Sequence, residues 1–109
     1  MTKDKTLSQI QKEIDEWVNQ FTEPYFPPLS RMACMTEEVG EVARVINRMY
    51  GSKKNKENEN IKDLEEELGD LLFTVVCMAN AENIDLVRAY ERKMDKVFTR
   101  DNFRLKRKE

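Results

Sequence analysis

Histidine is absent from this sequence of 109 residues, and cysteine, glycine and proline are scarce, with two, three and three copies. The absence of histidine excludes Ser-His and Cys-His catalysis and any metal site built on imidazole. Cys34 and Cys77 lie within apolar helical patterns and lack the partners of a zinc site, so we expect reduced core thiols in a reducing compartment. Any catalysis must therefore rely on carboxylates, basic side chains and a metal ion.

Long apolar runs and a surplus of positive charge are also missing. No run approaches the roughly 20 residues that a helix needs to cross a bilayer, and residues 1–5 lack the apolar region of a signal peptide. Charged residues make up 37% of the chain, but the net charge is only −2, without the basic excess typical of nucleic-acid binding. We expect a cytoplasmic protein that binds neither a membrane nor nucleic acid.

Helical periodicity dominates the remaining sequence, without a Gly-rich phosphate loop, strand alternation or a solenoid repeat. The three prolines of residues 22–28 interrupt this periodicity. Four helices are predicted, the first opening at Thr6 or Ser8 and the second running from about Leu29 or Ser30 to Tyr50 with Gly51 as its C-cap. The third is predicted from roughly Ile61 to Asn80, and the fourth from about Asp85. Residues 1–109 are thus expected to form one all-α domain resembling a four-helix bundle, with a core of about 7–100, a mobile loop of about 52–60 and a basic tail of about 101–109.

The second half of the third helix, residues 71–79, is almost wholly apolar. Such a segment should be buried on most sides. In so small a domain this predicts a central bundle helix that a second subunit helps to seal, and hence a homo-oligomer.

Two acidic segments lie within the second and third helices: Glu-Glu-Val-Gly-Glu at 37–41 and Glu-Leu-Gly-Asp at 67–70. Helical residues three apart project from the same side, which pairs Glu38 with Glu41 and Glu67 with Asp70. Carboxylate oxygens suit Mg²⁺ or Mn²⁺, and four anions drawn together repel unless a cation neutralises them. A single acidic pair is usually a solvated face, but both pairs flank an apolar stripe, which favours two halves of one metal site.

Three aromatic residues and one polar loop each allow two interpretations. Trp17 falls on the apolar stripe of the first helix, which favours core packing, whereas Tyr25 and Phe26 on the proline-rich connector either cap the core or stack on a flat ligand. The loop at 52–60 is either a solvated linker or helps to attract a polyphosphate. Its lysines are Lys53, Lys54 and Lys56.

The two acidic segments together resemble the EExxE…ExxD signature of MazG-like nucleoside triphosphate pyrophosphohydrolases, members of the all-α NTP pyrophosphatase superfamily. The apolar continuations at 70–73 and 78–80 are similar to that family too, and the resemblance covers about residues 7–100. It implies a helical bundle that assembles as a dimer or tetramer. It also implies hydrolysis of an NTP or dNTP to the monophosphate and pyrophosphate with Mg²⁺, for which Mn²⁺ substitutes, and a role in clearing non-standard nucleotides.

The resemblance also implies roles for individual residues. Glu38, Glu41, Glu67 and Asp70 are expected to bind the metal. Glu37 is expected to support these ligands or to orient the attacking water, so that Glu37, Glu38 and Glu41 form the catalytic set.

Substrate contacts are implied at two further places. The basic fourth helix is expected to bind the phosphates through Lys93, Lys96 and Arg100, although Val97 and Phe98 stand where many relatives carry an asparagine. The region where relatives often hold the base contains Trp17, Tyr25 and Phe26. Two alternatives remain open: a phosphoribosyl-ATP pyrophosphatase of the same superfamily, and a non-catalytic helical oligomer that binds divalent ions or a protein partner.

Overall fold

A computed structural model of the chain describes residues 4–51 and 60–108, and helices account for most of them. The helices are α1 (Leu7–Val18), α2 (Pro28–Tyr50), α3 (Ile61–Ala81) and α4 (Leu86–Thr99), followed by a 3-10 turn at Asp101–Phe103. The described residues contain no strand. The predicted all-α class with four helices is confirmed.

Side-chain caps determine where three of the helices begin. The Thr6 hydroxyl accepts a hydrogen bond from the backbone N–H of Gln9 at 3.1 Å, and the Gln9 side chain accepts one from the Thr6 N–H at 2.6 Å. Asn60 and Asp63 form the same reciprocal pair before α3. Asp85 caps α4, as predicted. Each cap satisfies backbone donors that have no partner within their own helix.

Two helix boundaries differ by a residue or two from the approximate positions predicted. The second helix begins at Pro28 and not at Leu29 or Ser30, because the fixed φ of proline suits the first helical position, where no N–H donor is needed. The third helix continues past Asn80 to Ala81. The loop predicted at 52–60 lies outside the described residues except for its last position, and its three lysines lie outside them as well.

The two long helices, α2 and α3, run antiparallel. Arg31 near the start of α2 pairs with Glu82 just beyond the end of α3, while Glu38 of α2 lies beside Glu67 of α3. Helix α1 packs on α3, and α4 packs on α1 and on the 3-10 turn. The buried apolar residues come from α1, α2 and α3: Val18, Val45, Val76 and Ala79.

The apolar half of α3 is less enclosed than predicted. Of residues 71–79, only Val76 and Ala79 are buried, whereas Leu72 and Phe73 are 47% and 39% exposed. Within the single chain this segment is only partly enclosed, because α1 and α2 cover only part of the circumference of α3, and its predicted sealing by a second subunit stays a prediction. Within the described residues, no helix has the length and apolar character that crossing a bilayer requires.

Gln11 of α1 connects the end of α3 to the start of α4. Its Nε2 donates to Asn80 Oδ1 and to the carbonyl oxygen of Ile84, both at 2.9 Å, and its Oε1 accepts from the backbone N–H of Leu86 at 2.9 Å. Asn83, in the left-handed region with φ of 57°, reverses the chain between these helices. Gln11 thus holds the first turn of α4 against α1.

Candidate active site

Three of the four predicted metal ligands meet between α2 and α3. One carboxylate oxygen from each of Glu38, Glu67 and Asp70 lies within 4.8 Å of the others. Glu67 and Asp70 share a face of α3 because they are three residues apart, and the antiparallel packing of α2 places Glu38 opposite them. Glu38 and Glu67 are half-buried and Asp70 is exposed, so this carboxylate cluster is open to solvent. Hard oxygen donors from three residues at this spacing fit a divalent cation.

The fourth predicted ligand, Glu41, lies beside the carboxylate cluster but pairs with an arginine. Its Oε2 is 3.1 Å from Nε of Arg44, one turn farther along α2. Glu37 is exposed and makes no hydrogen bond or ion pair with any described residue. The structure therefore assembles three predicted ligands directly and leaves these two glutamates at the margin.

The protonation of Glu67 reflects its crowded surroundings. Desolvation raises the pKa of its carboxyl group, and the neighbouring carboxylates of Asp70, Glu41 and Glu38 raise it further. The guanidinium of Arg44 opposes this effect. Glu41 thus acts electrostatically on the carboxylate cluster, and a cation bound there would favour the ionised form of Glu67.

The three aromatic residues predicted to hold a base line one cavity of about 150 Å³ between α1, the connector at 19–27, α2 and α3. Trp17 packs edge-on against Phe73 of α3, with ring centroids 6.1 Å apart. Trp17 is 53% exposed, so it lies at the cavity and not inside the core. The walls are mostly apolar, and the lining side chains include Trp17, Tyr25, Phe26, Arg31, Phe73 and Thr74.

This cavity lies one helical turn from the carboxylate cluster along both helices. Cys34 of the cavity wall precedes Glu38 by four residues, and Thr74 follows Asp70 by four. Four residues of helix correspond to a rise of about 6 Å. A single elongated ligand can therefore contact both the carboxylate cluster and the cavity.

Two groups in the cavity wall keep their protons. The Tyr25 hydroxyl donates to Asp15 Oδ1 at 2.6 Å. Burial raises the pKa of Tyr25 to about 12, and the hydrogen bond to Asp15 adds to the rise while Asn80 opposes it. Burial also raises the pKa of the Cys77 thiol. Cys34 and Cys77 are free thiols, as predicted, but both are half-buried cavity residues and not enclosed core residues.

Arg31 is a cavity residue that the sequence did not single out. Its side chain is 9% exposed, and it bonds to the Phe26 carbonyl oxygen and to Glu82. Arg31 stands three residues before Cys34 and seven before Glu38, which places all three on one face of α2. That spacing is the signal that could have identified it.

The predicted phosphate ligands Lys93, Lys96 and Arg100 are exposed on α4. Arg100 donates through Nε to Asp101 Oδ1 at 2.9 Å, and this hydrogen bond is the main cause that lowers the pKa of Asp101. Lys93 Nζ lies 4.0 Å from Asp101 Oδ2. Across residues 4–51 and 60–108, no hydrogen bond or ion pair links these three cations to the carboxylate cluster.

Similarity to known proteins assigns the chain to a family. The sequence model of the MazG nucleotide pyrophosphohydrolase domain matches residues 26–105. YpjD of Bacillus subtilis (strain 168) is 51% identical over 106 residues, spanning 97% of this chain and 96% of YpjD. YvdC of the same organism is 26% identical over 100 residues, spanning 79% of this chain and 93% of YvdC.

Solved structures agree with this assignment. A Bacillus-conserved MazG protein, described as a nucleotide pyrophosphohydrolase, superposes with a TM-score of 0.79 at 46% identity, covering 91% of this chain and 96% of its own. The crystal structure of Bacillus subtilis YpjD superposes with a TM-score of 0.80 at 49% identity, covering 87% and 97%. The predicted fold class and family are confirmed, and the chain belongs to the MazG nucleotide pyrophosphohydrolase domain family, whose members are hydrolases.

Proposed function

We propose that this protein is a Mg²⁺-dependent pyrophosphohydrolase that cleaves the α–β phosphoanhydride bond of an NTP or dNTP and releases the monophosphate and pyrophosphate. The observation that carries this proposal is the carboxylate cluster, whose three oxygens lie within 4.8 Å of one another in a MazG domain. Clearing non-standard nucleotides from the cytoplasmic pool is the proposed role, and Mn²⁺ is expected to substitute for Mg²⁺.

The carboxylate cluster is proposed as the metal site. Glu38, Glu67 and Asp70 would supply the ligands, with Glu41 joining them when its side chain leaves Arg44. A bound Mg²⁺ supplies positive charge against the polyphosphate and lowers the pKa of a coordinated water. By holding that cation, the three carboxylates would position the reacting phosphates at the junction of α2 and α3.

Glu37 is proposed to orient the attacking water. It adjoins Glu38 in the sequence, and its carboxylate is engaged by no described residue. An ionised carboxylate accepts hydrogen bonds only, so it can fix a water and take a proton from it.

A homo-oligomer, either a dimer or a tetramer, is part of the proposal. Val39 and Leu68, each beside a carboxylate of the cluster in the sequence, are 51% and 48% exposed, and α4 contains no buried residue. A second copy covering these surfaces would gain about 25 cal/mol for each Å² of apolar area removed from water. We propose that this second copy also presents its basic α4 to the carboxylate cluster of its partner. The proposed phosphate ligands on that helix are Lys93, Lys96 and Arg100.

The oligomer is tested by the mass in solution. Light scattering at micromolar concentration should give at least twice the chain mass of 12.9 kDa. A mass equal to that of one chain would contradict this part of the proposal.

The reaction is tested by pyrophosphate release from a panel of standard and modified NTPs and dNTPs with Mg²⁺ or Mn²⁺. Glu38→Gln keeps the side-chain volume but removes one anion, and should reduce release at least about a hundredfold, since loss of even an outer partner of a metal ligand costs 10–100-fold. Glu66→Gln, which changes an exposed acid on α3, is the matched control and should remain active.

Phosphoribosyl-ATP belongs in the same panel, because its cleavage would identify the alternative activity within the superfamily. Absence of metal-dependent pyrophosphate release from every nucleotide would refute the proposed reaction.

A further inference from the structure

Arg31 places a largely buried cation in the wall of a mostly apolar cavity. Its side chain is only 9% exposed, and a buried guanidinium is costly unless its N–H groups find acceptors. Two of them do. Nε donates to the Phe26 carbonyl oxygen at 2.9 Å, and Nη2 donates to Glu82 Oε2 at 2.8 Å. These two contacts hold the plane of the guanidinium in place.

Donors on the same guanidinium remain available. Arginine carries five N–H groups, so three of those on Arg31 have no acceptor among the described residues. No fully buried side-chain nitrogen or oxygen in the described residues lacks a hydrogen-bond partner, which means that Nη1 reaches accessible space. Because Arg31 lines the cavity, a ligand bound there can approach these donors.

The position of the cavity favours a nucleobase as that ligand. The cavity is one helical turn from the carboxylate cluster, where the triphosphate would bind, so this step rests on the proposed function. Trp17 and Phe26 offer aromatic surface for a planar ring. A nucleotide whose phosphates bind a cation held by Glu38 and Asp70 would extend its base toward Arg31.

The chemistry of Arg31 distinguishes two groups of bases. A guanidinium can only donate hydrogen bonds, and it recognises the O6 carbonyl of guanine. Hypoxanthine presents a carbonyl at the same place, and uracil and thymine present one at position 4. Adenine and cytosine carry an amino group there, which also donates, so two donors would face each other.

Two hydroxyl groups complete this arrangement. The Tyr25 hydroxyl donates to Asp15, and the Thr74 hydroxyl donates to the Leu71 carbonyl oxygen at 2.8 Å. Both hydroxyl oxygens retain lone pairs that can accept a hydrogen bond. The ring N–H beside the carbonyl of a keto base supplies such a donor, whereas adenine and cytosine have a bare nitrogen there.

We propose that Arg31 is the specificity-determining residue of this cavity and that it selects nucleotides whose base carries a keto group at purine position 6 or pyrimidine position 4. Binding is measured with the α,β-imido analogues of dITP, dATP, dUTP and dCTP in the presence of Mg²⁺, by calorimetry. Within each pair, the two bases differ only in the keto or amino group and the adjacent ring proton. The keto member should bind about tenfold tighter or more, the range of one well-placed hydrogen-bonded contact to a base.

The mutational test compares Arg31→Gln with Glu82→Gln. Glutamine both donates and accepts, so Arg31→Gln should bring the two members of each pair to within about threefold. Glu82→Gln removes the ion-pair partner of Arg31 but keeps the guanidinium, and should retain the preference. Circular dichroism checks that both variants fold, and the comparison of analogues on the wild-type protein needs no variant.

Equal binding of the two members, tighter binding of the amino member, or an unchanged preference in a folded Arg31→Gln protein would overturn the inference. Pyrophosphate release from the natural nucleotides is recorded in parallel. Release without keto preference refutes the role of Arg31 while leaving the proposed function intact. Keto-selective, Arg31-dependent binding without release refutes the proposed reaction and leaves the role of Arg31 standing.

Discussion

Replacing Gln11 by alanine is expected to lower the free energy of unfolding by about 2–3 kcal/mol. The side chain makes three hydrogen bonds of 2.9 Å, to Asn80, Ile84 and Leu86. The bonds to Asn80 and to the Leu86 N–H are partly buried, while the carbonyl oxygen of Ile84 is exposed and can bond to water instead. A partly buried group left without its partner costs about 1–1.5 kcal/mol, and two such groups give the stated range.

The assay is urea denaturation followed by far-UV circular dichroism, with all proteins at the same concentration because oligomerisation would couple stability to concentration. Gln20→Ala is the matched control, since the Gln20 side chain makes one exposed bond of 3.2 Å to the Trp17 carbonyl oxygen. Its loss should be within about 0.5 kcal/mol. Amide hydrogen exchange at Leu86 should accelerate in Gln11→Ala and stay unchanged in the control.

Two results would refute this reasoning about Gln11. A loss below about 0.5 kcal/mol would show that water replaces the side chain at all three partners. An equal loss in Gln20→Ala would show that the effect comes from removing a long side chain and not from detaching α4.

Two further predictions follow from shifted pKa values. Because desolvation and the carboxylate of Asp70 raise the pKa of Glu67, its ionised form is disfavoured in the fold. Glu67→Gln should therefore melt at a higher temperature than wild type at neutral pH without metal, and should lose stabilisation by Mg²⁺. A lower melting temperature without metal would contradict this. The pKa of Tyr25 is raised to about 12 from about 10 in unfolded chains. The contribution of Tyr25 to the free energy of unfolding is therefore complete below pH about 10 and declines as the pH rises toward 12. Melting temperatures of Tyr25→Phe should decline less over that range, and parallel curves would count against the shift.

The helices could be predicted from the sequence because their causes are local. The cap at Asp85 lies next to the helix that it begins, and the prolines around Pro28 act on their own backbone. The carboxylate cluster was predictable for a similar reason. Glu67 and Asp70 share a face through helical spacing. Only the pairing of α3 with the helix carrying Glu38 required a long-range step, which the apolar stripes beside both acidic pairs favoured and the family resemblance supported.

The residues that the sequence did not reveal depend on distant partners. Gln11 bonds to groups 69 to 75 positions away, and Arg31 bonds to Glu82 across 51 positions. Neither spacing follows a helical period, so no pattern in the sequence indicates these contacts, although the spacing of Arg31 from Cys34 and Glu38 could have placed it on the cavity face of α2. The exposure of Phe73 was missed because hydrophobicity shows that a side chain favours burial, not which surface covers it.

The two halves of the candidate site have different origins in the fold. The carboxylates come from α2 and α3 alone, whereas the cavity takes one wall from these helices and the other from α1 and the connector at 19–27. Substitutions at Trp17, Tyr25 or Phe26 can therefore reshape the cavity while every carboxylate stays in place. Duplicated copies of such a gene could diverge in the ligand they accept by changing α1 and the connector, with the acidic segments of α2 and α3 inherited unaltered.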